Sequence, residues 1–421
     1  MFGDVMSGLL GVRRPVRVAA VIVSIGIVAD FLSLGASRAE ATETSARAST
    51  IVDAASAADV ADAQAIAVKF GHRVSVTALE SPTTLVSVNQ DGTMRLTANA
   101  TPVRARVGNS WKPVDFSLSS KNGYLAPAVT AQPVEFSPGG DGPMARVQDA
   151  TGSWIAEDAP FGTLPKPSVK GATATYSDVL QGVDLQLTAT ATGMSEVLIV
   201  RTAAAAANPR LDGVKFGITG GKVTTDANGT VHVGASGDDG LVAAPSIWWD
   251  SSQGSTASGP GGTVMPRPVA QTISQTGVTI DAGAAARASD VQYPVFIDPP
   301  WSAGQWAFWY IDQAYPSQSY INGQYASGVQ RVGYVDAAHS PQDGRTHKAR
   351  AYWVFDTSAL AGKQVLAAQF SASLNGAYNC SIMHSSYLGT SSAPVGGTWN
   401  SESAYGANLI DTETPGARGS R

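Results

Sequence analysis

Short runs of alternating apolar and polar residues, each cut off by a turn rich in Gly, Asn or Asp, recur between residues 74 and 297 and point to an antiparallel β fold. Leu85, Val86 and Val88 lead into Asn89-Gln90-Asp91-Gly92, after which Met94, Leu96 and Ala98 alternate. Glycine accepts the positive φ that such a hairpin turn needs, and a period of two puts alternate side chains on one face. Residues 103–107 turn at Gly108-Asn109 into Trp111 and Val114. Residues 183–189 turn at Thr192-Gly193 into 197–200, and Val223 turns through 226–229 into Val231-His232-Val233. Each hairpin needs a partner to bury its apolar face, so residues 74–249 should form one or two packed antiparallel sheets. The 44 Gly and 23 Pro sit singly or in pairs between these runs, as in an all-β protein with many turns.

The stretch 291–301, VQYPVFIDPPW, divides two textures. Tyr293, Val295 and Ile297 share one side of a strand, and Pro299 and Pro300 end pairing because neither donates a backbone hydrogen bond. Upstream the chain is rich in Ala, Val, Thr and Gly; downstream it is dense in Trp and Tyr. The expected organisation is a lead-in over 42–70 with one modest helix near 57–68, an antiparallel β module over 71–290, and a β-sandwich or jelly roll over 291–410. Residues 251–268 (SSQGSTASGPGGTVMPRP) read as an exposed loop or linker, 203–208 as at most one helical turn, and 411–421 as a disordered tail. Residues 351–355 (AYWVF) read as a strand buried on both faces, and 366–374 as an alternating one.

The N-terminus carries an address. Arg13, Arg14 and Arg17 precede an apolar run over 18–29, followed by small residues with Ser37-Arg38-Ala39 and Ala39-Glu40-Ala41 as cleavage candidates. This is the pattern of a secretory signal peptide ending near residue 41, and it implies a secreted, extracellular protein. Asp30 interrupts the run well short of the roughly 20 residues a spanning helix needs, so no membrane span is expected after cleavage. The net charge of −5 offers no basic stripe to a nucleic acid, which argues against that class of partner.

No nucleophile elbow, zinc-protease helix or phosphate-cradling glycine motif is present, so neither catalysis nor a cofactor is expected. His339 and His347 bracket a polar loop and, with Asp336 and Asp343, could form a metal site. The spacing matches no helical or zinc-finger pattern, and a solvated loop with no metal is the expectation. Asp298 and Asp356 sit beside strand ends, where a carboxylate usually accepts backbone hydrogen bonds in a turn. Trp306, Trp309, Tyr310, Tyr315, Tyr320 and Tyr325 form an aromatic cluster. Exposed rings would pack on the C–H faces of sugars, making Trp306, Trp309, Tyr310, Tyr320 and Trp249 candidate ligand-binding residues, while rings at strand spacing also fill cores. Trp248 and Trp249 have opposite parity, so one ring should be buried and the other cover an edge or a ligand.

The series NQDGTMRL, GNSWKPVDFSL, TATYSDVLQGVDLQLTATATGMSEVLIVRT, SIWWDSS and YPVFIDPPW resembles the N-terminal region of large secreted actinobacterial proteins with LamG-like jelly rolls or YD (Rhs-type) repeats. The segment AYWVFDTSALAGKQVLAAQFSASL, with TWNSES, is similar to the DNRLRE-type β-sandwich that follows that region. The resemblance covers residues 57–411 and carries no catalytic motif. The function read for the chain is a secreted, non-catalytic cell-surface or carbohydrate-binding module, with an extracellular glycan or cell-wall polymer as partner. Members usually continue into further sandwiches or repeats, so the sandwich here is expected to be incomplete. Cys380 is then either half of a disulfide with a missing partner or a small core residue. Two other functions stay open: a leader fragment of a larger Rhs-like or toxin-like polypeptide, and a glycan hydrolase whose two carboxylates are distant in sequence.

Overall fold

The computed structural model describes residues 21–32, 51–225, 231–234, 241–243, 245–262, 264–299, 308–321, 328–339, 343–374, 386–391, 396–402 and 407–413. The chain is all-β, with multiple antiparallel sheets and four short α-helices among these residues. No described helix is long and apolar enough to cross a membrane. Two compact units are present, one built mainly from residues 24–103 and 354–372, the other mainly from 104–353 and 373–421.

In the smaller unit a sheet runs in the order Ser56–Ala57, Val74–Val76, Thr84–Val88, Met94–Asn99, Val21–Leu32. The helix expected near 57–68 is Val60–Phe70. It starts where the Asp59 side chain accepts from the Asp62 amide and stops at Gly71, whose φ of 71° a side chain would resist. Ala63, Ile66 and Ala67 on its inner face pack with Val74, Val86 and Leu96. The hairpin read at Asp91-Gly92 joins Thr84–Val88 to Met94–Asn99 in that register, Val88 opposite Met94. Val21–Leu32, within the stretch read as an export signal, is a strand antiparallel to Met94–Asn99, with Gly26 opposite Asn99.

The larger unit is layered. An eight-stranded sheet, including Val134–Phe136, Pro143–Gln148, Trp154–Asp158 and Asp212–Thr219, faces a seven-stranded sheet whose centre is Thr173–Leu180, Val183–Thr190, Gly193–Val200, Val295–Asp298 and Ile247–Asp250. Phe136, Met144, Leu185, Leu187, Leu198, Phe216 and Ile297 fill the space between them. The Tyr176 hydroxyl, on the second sheet, donates to the Ser137 carbonyl at 2.6 Å. The opposite face of the second sheet carries Val197, Ile247, Trp249 and Phe296, which form another core with Tyr310 and Tyr320. Those tyrosines belong to a four-stranded sheet, Ser319–Ile321, Phe308–Asp312, His347–Trp353, Gly333–Val335.

Several sequence-based expectations change here. Val295–Asp298, within the stretch 291–301, is an interior strand between Gly193–Val200 and Ile247–Asp250. The strand still ends at Asp298, before the prolines. Residues 251–268 are not an exposed linker, since Val264 is fully buried and Ala257 and Val264 join the second core. Residues 351–355 are not buried on both faces, because Val354 is 40% exposed. Asp411 to Glu413, read as tail, pair with Ser386 to Leu388, while 414–421 lie outside the described residues.

Gly277 has a φ of 152°, and a Cβ there would lie 2.1 Å from the Phe216 carbonyl oxygen. Gly277→Ala should therefore destabilise the larger unit by on the order of 1–3 kcal/mol, read as a lower denaturant midpoint at unchanged slope.

Candidate functional site

Four of the aromatic residues singled out from sequence lie inside the protein. Trp249 is 1% exposed, Trp309 3%, Tyr310 1% and Tyr320 0%, so these four do not form an open platform for a sugar. The Tyr310 and Tyr320 rings stack at 4.3 Å with a 4° interplanar angle, in cross-strand register. Trp309 stacks on Tyr352 at 4.9 Å and packs with Ile311, Ile321 and Trp399. The two parities of Phe308–Asp312 thus enter two different cores. Trp248 and Trp249 do the same on their sheet, the first in the inter-sheet core and the second in the outer one. Trp306 and Cys380 lie outside the described residues.

Behind the aromatic layer is a polar cluster that local sequence pattern only half exposes. His347 Nδ1 is 2.5 Å from Asp312 Oδ2, and its Nε2 is 3.1 Å from Asp343 Oδ1. The Tyr315 hydroxyl donates to Asp343 Oδ2 at 2.7 Å. Asp312 Oδ1 also accepts from the Ala314 amide at 3.0 Å, and Asp343 Oδ1 from the Arg345 amide at 3.0 Å. Asp312 and His347 are brought together because Phe308–Asp312 and His347–Trp353 run antiparallel, Asp312 opposite Ala349. Burial, the largest influence on the His347 imidazole, lowers its pKa. The Asp312 and Asp343 carboxylates more than reverse this and push it up to about 9. Burial, with a smaller contribution from Asp343, raises the Tyr315 phenol.

His339 and His347 do not converge. His339 pairs with Asp336 at 2.6 Å in an exposed turn, and the two nitrogens of His347 address carboxylates on opposite sides of its ring. No group of metal-ligating side chains is present among the described residues. Sequence reasoning placed His347 with Asp343 but missed Asp312, thirty-five positions earlier. Only the cross-strand register could have shown it.

A second set of acids lies between the two large sheets. Glu157, on Trp154–Asp158, points inward beside Ile155, and Glu196, on Gly193–Val200, points at it from the facing sheet. Glu196 is fully buried and Glu157 5% exposed. Burial raises the Glu196 pKa well above its ordinary value, and the neighbouring Glu157 and then Asp298 raise it further. Two facing carboxyls so far from water cannot both carry charge cheaply, so the pair favours a protonated Glu196. Asp298 departs from the expected turn role, since its carboxyl is fully buried with no hydrogen-bond partner, and burial raises its pKa. Asp356 keeps that role, accepting from the Ser358 amide at 3.0 Å. The facing pair of glutamates lies in the sandwich interior beside a void of about 10 Å³, too small for a sugar. A wider hollow of about 300 Å³ in the smaller unit is lined by Leu79, Glu80, Ser81, Thr84, Asp356 and Ser358.

No family model, curated protein or solved structure matches this chain.

Proposed function

We propose that the chain is an exported, non-catalytic β-rich module whose role at the cell surface is structural. The observation that carries this reading is the use of the aromatic cluster: Trp249, Tyr310 and Tyr320 hold a small sheet onto the outer face of a sandwich. Rings placed this way contribute burial and stacking, and none of their faces is offered to a ligand. The signal-like N-terminus and the resemblance to secreted LamG-like and DNRLRE-type proteins support export.

A glycan-binding role is favoured by a different set of side chains. Tyr124 and Trp154 are partly exposed on the outward face of the eight-stranded sheet, with the Arg146 guanidinium 3.9 Å and 4.6 Å from their ring centres. Glu135 completes the group by pairing with Arg146. One face of each ring lies against the arginine, so a sugar would have to use the other faces.

Retention on insoluble cell-wall polysaccharide, measured for the parent protein and for Trp154→Ala and Tyr310→Ala, separates the two roles. The structural role predicts no specific retention, a Tm close to the parent for Trp154→Ala and a large loss for Tyr310→Ala. Retention that disappears in Trp154→Ala at unchanged Tm would overturn it in favour of glycan binding.

A further inference from the structure

The Asp312–His347–Asp343 arrangement has a direct chemical consequence. Both ring nitrogens face carboxylate oxygens, which only accept, so both nitrogens must carry hydrogen and the ring is an imidazolium. The two arms are unequal. The Asp312 arm is 2.5 Å long and joins side chains 3% and 0% exposed, whereas the Asp343 arm is 3.1 Å and reaches a side chain at the 9% level. Asp312 is also held by its strand ladder and by the Ala314 amide. Asp343 holds a local turn, through the Tyr315 hydroxyl and the Arg345 amide.

We propose that His347 is a proton-operated clamp: as an imidazolium it fixes Asp343, and with it Tyr315 and Arg345, against the strand Phe308–Asp312, and loss of its proton releases the Asp343 side. The remaining proton stays on Nδ1, where the shorter and drier bond to Asp312 is stronger. Nε2 then turns a lone pair toward the Asp343 carboxylate, and two acceptors at that distance repel. The other charged and titratable groups on the elements packed against His347 include Lys348 beside it, Arg350 over the Trp399 ring, Arg331 on the strand Gln330–Arg331, Tyr334 on the neighbouring strand Gly333–Val335, Asp336 paired with His339 after that strand, and Arg345 over the Tyr315 ring. Arg267 also acts on Tyr315.

The sign follows from the raised imidazole value. The clamp is closed below the ordinary histidine value of 6.5 and opens as pH climbs through about 9. Trypsin cleavage after Arg345 in the intact chain reports the release, compared at each pH with an unstructured peptide of the same local sequence. Between about pH 7 and about pH 9.5 the relative cleavage rate should rise roughly ten-fold or more in the parent. In His347→Gln it should already be fast at about pH 7 and nearly flat with pH. Asp343→Asn, which keeps the buried Asp312–His347 bond, should behave like His347→Gln and serves if that variant does not fold. A flat profile in the parent, or a pH-dependent rise of equal size in Asp343→Asn, would overturn the clamp.

Discussion

Trp249→Ala should lower the stability of the larger unit by about 3–5 kcal/mol, the cost of emptying a large aromatic site that cannot collapse. The indole is 1% exposed and sits among Val197, Ile247, Val264, Phe296 and Tyr320. It lies 5.8 Å from the Phe296 ring, and its Nε1 donates to the Thr256 carbonyl at 2.9 Å. The alanine variant loses burial and contacts, and leaves that carbonyl facing a void. Thr256 belongs to the segment 251–268, so the loss should also loosen that segment, seen as faster amide exchange at Ser255 and Gly261. Denaturant unfolding measures the main effect. A shift below about 1 kcal/mol with an intact fold would mean that the ring is not a core element, and the structural reading of the aromatic cluster would fall with it.

The same residues show what was legible in the sequence. Period-two alternation and turn chemistry located the hairpins at 84–99, 104–113 and 183–200, because both are local properties. They also placed Trp248 and Trp249 on opposite faces. What alternation cannot report is whether the second face of a sheet is covered. Here the seven-stranded sheet has a core on each side, so Trp248 and Trp249 are both buried. Residues 251–268 failed for a related reason. Their polar side chains suggested solvent, yet Ser255 Oγ donates to the Ser252 carbonyl and accepts from the Gly261 amide, satisfying the turn internally. With those groups paired, Val264 enters the core without stranding backbone polar atoms. Asp312 and Glu196 were beyond reach because each meets its partner across strands, at separations no local pattern encodes.

Glu196→Gln should raise stability at neutral pH by about 1–3 kcal/mol and remove the fall of stability that begins as pH rises above the ordinary glutamate value of 4.5. In the parent, the Glu196 carboxyl is fully buried and faces the Glu157 carboxyl, so the native state favours its protonated form. Its pKa lies well above the ordinary glutamate value of 4.5. The native chain therefore holds a proton that the unfolded chain has released, and stability falls as pH rises from that value toward the native one. A glutamine keeps the shape and a permanent N–H donor for Glu157, but has no proton to lose. At about pH 4 parent and variant should unfold at similar temperatures; at about pH 8 the variant should unfold several degrees higher. Asp298, also buried with a raised pKa, leaves some residual slope of the same sign, which Asp298→Asn should remove in the double variant. The His347 clamp acts in the same direction, and its share of stability is lost between 6.5 and about 9, so Glu196→Gln should leave that part of the slope in place. A Glu196→Gln protein with the parent's full pH slope would show that the buried Glu196 carboxyl does not hold a proton in the native state.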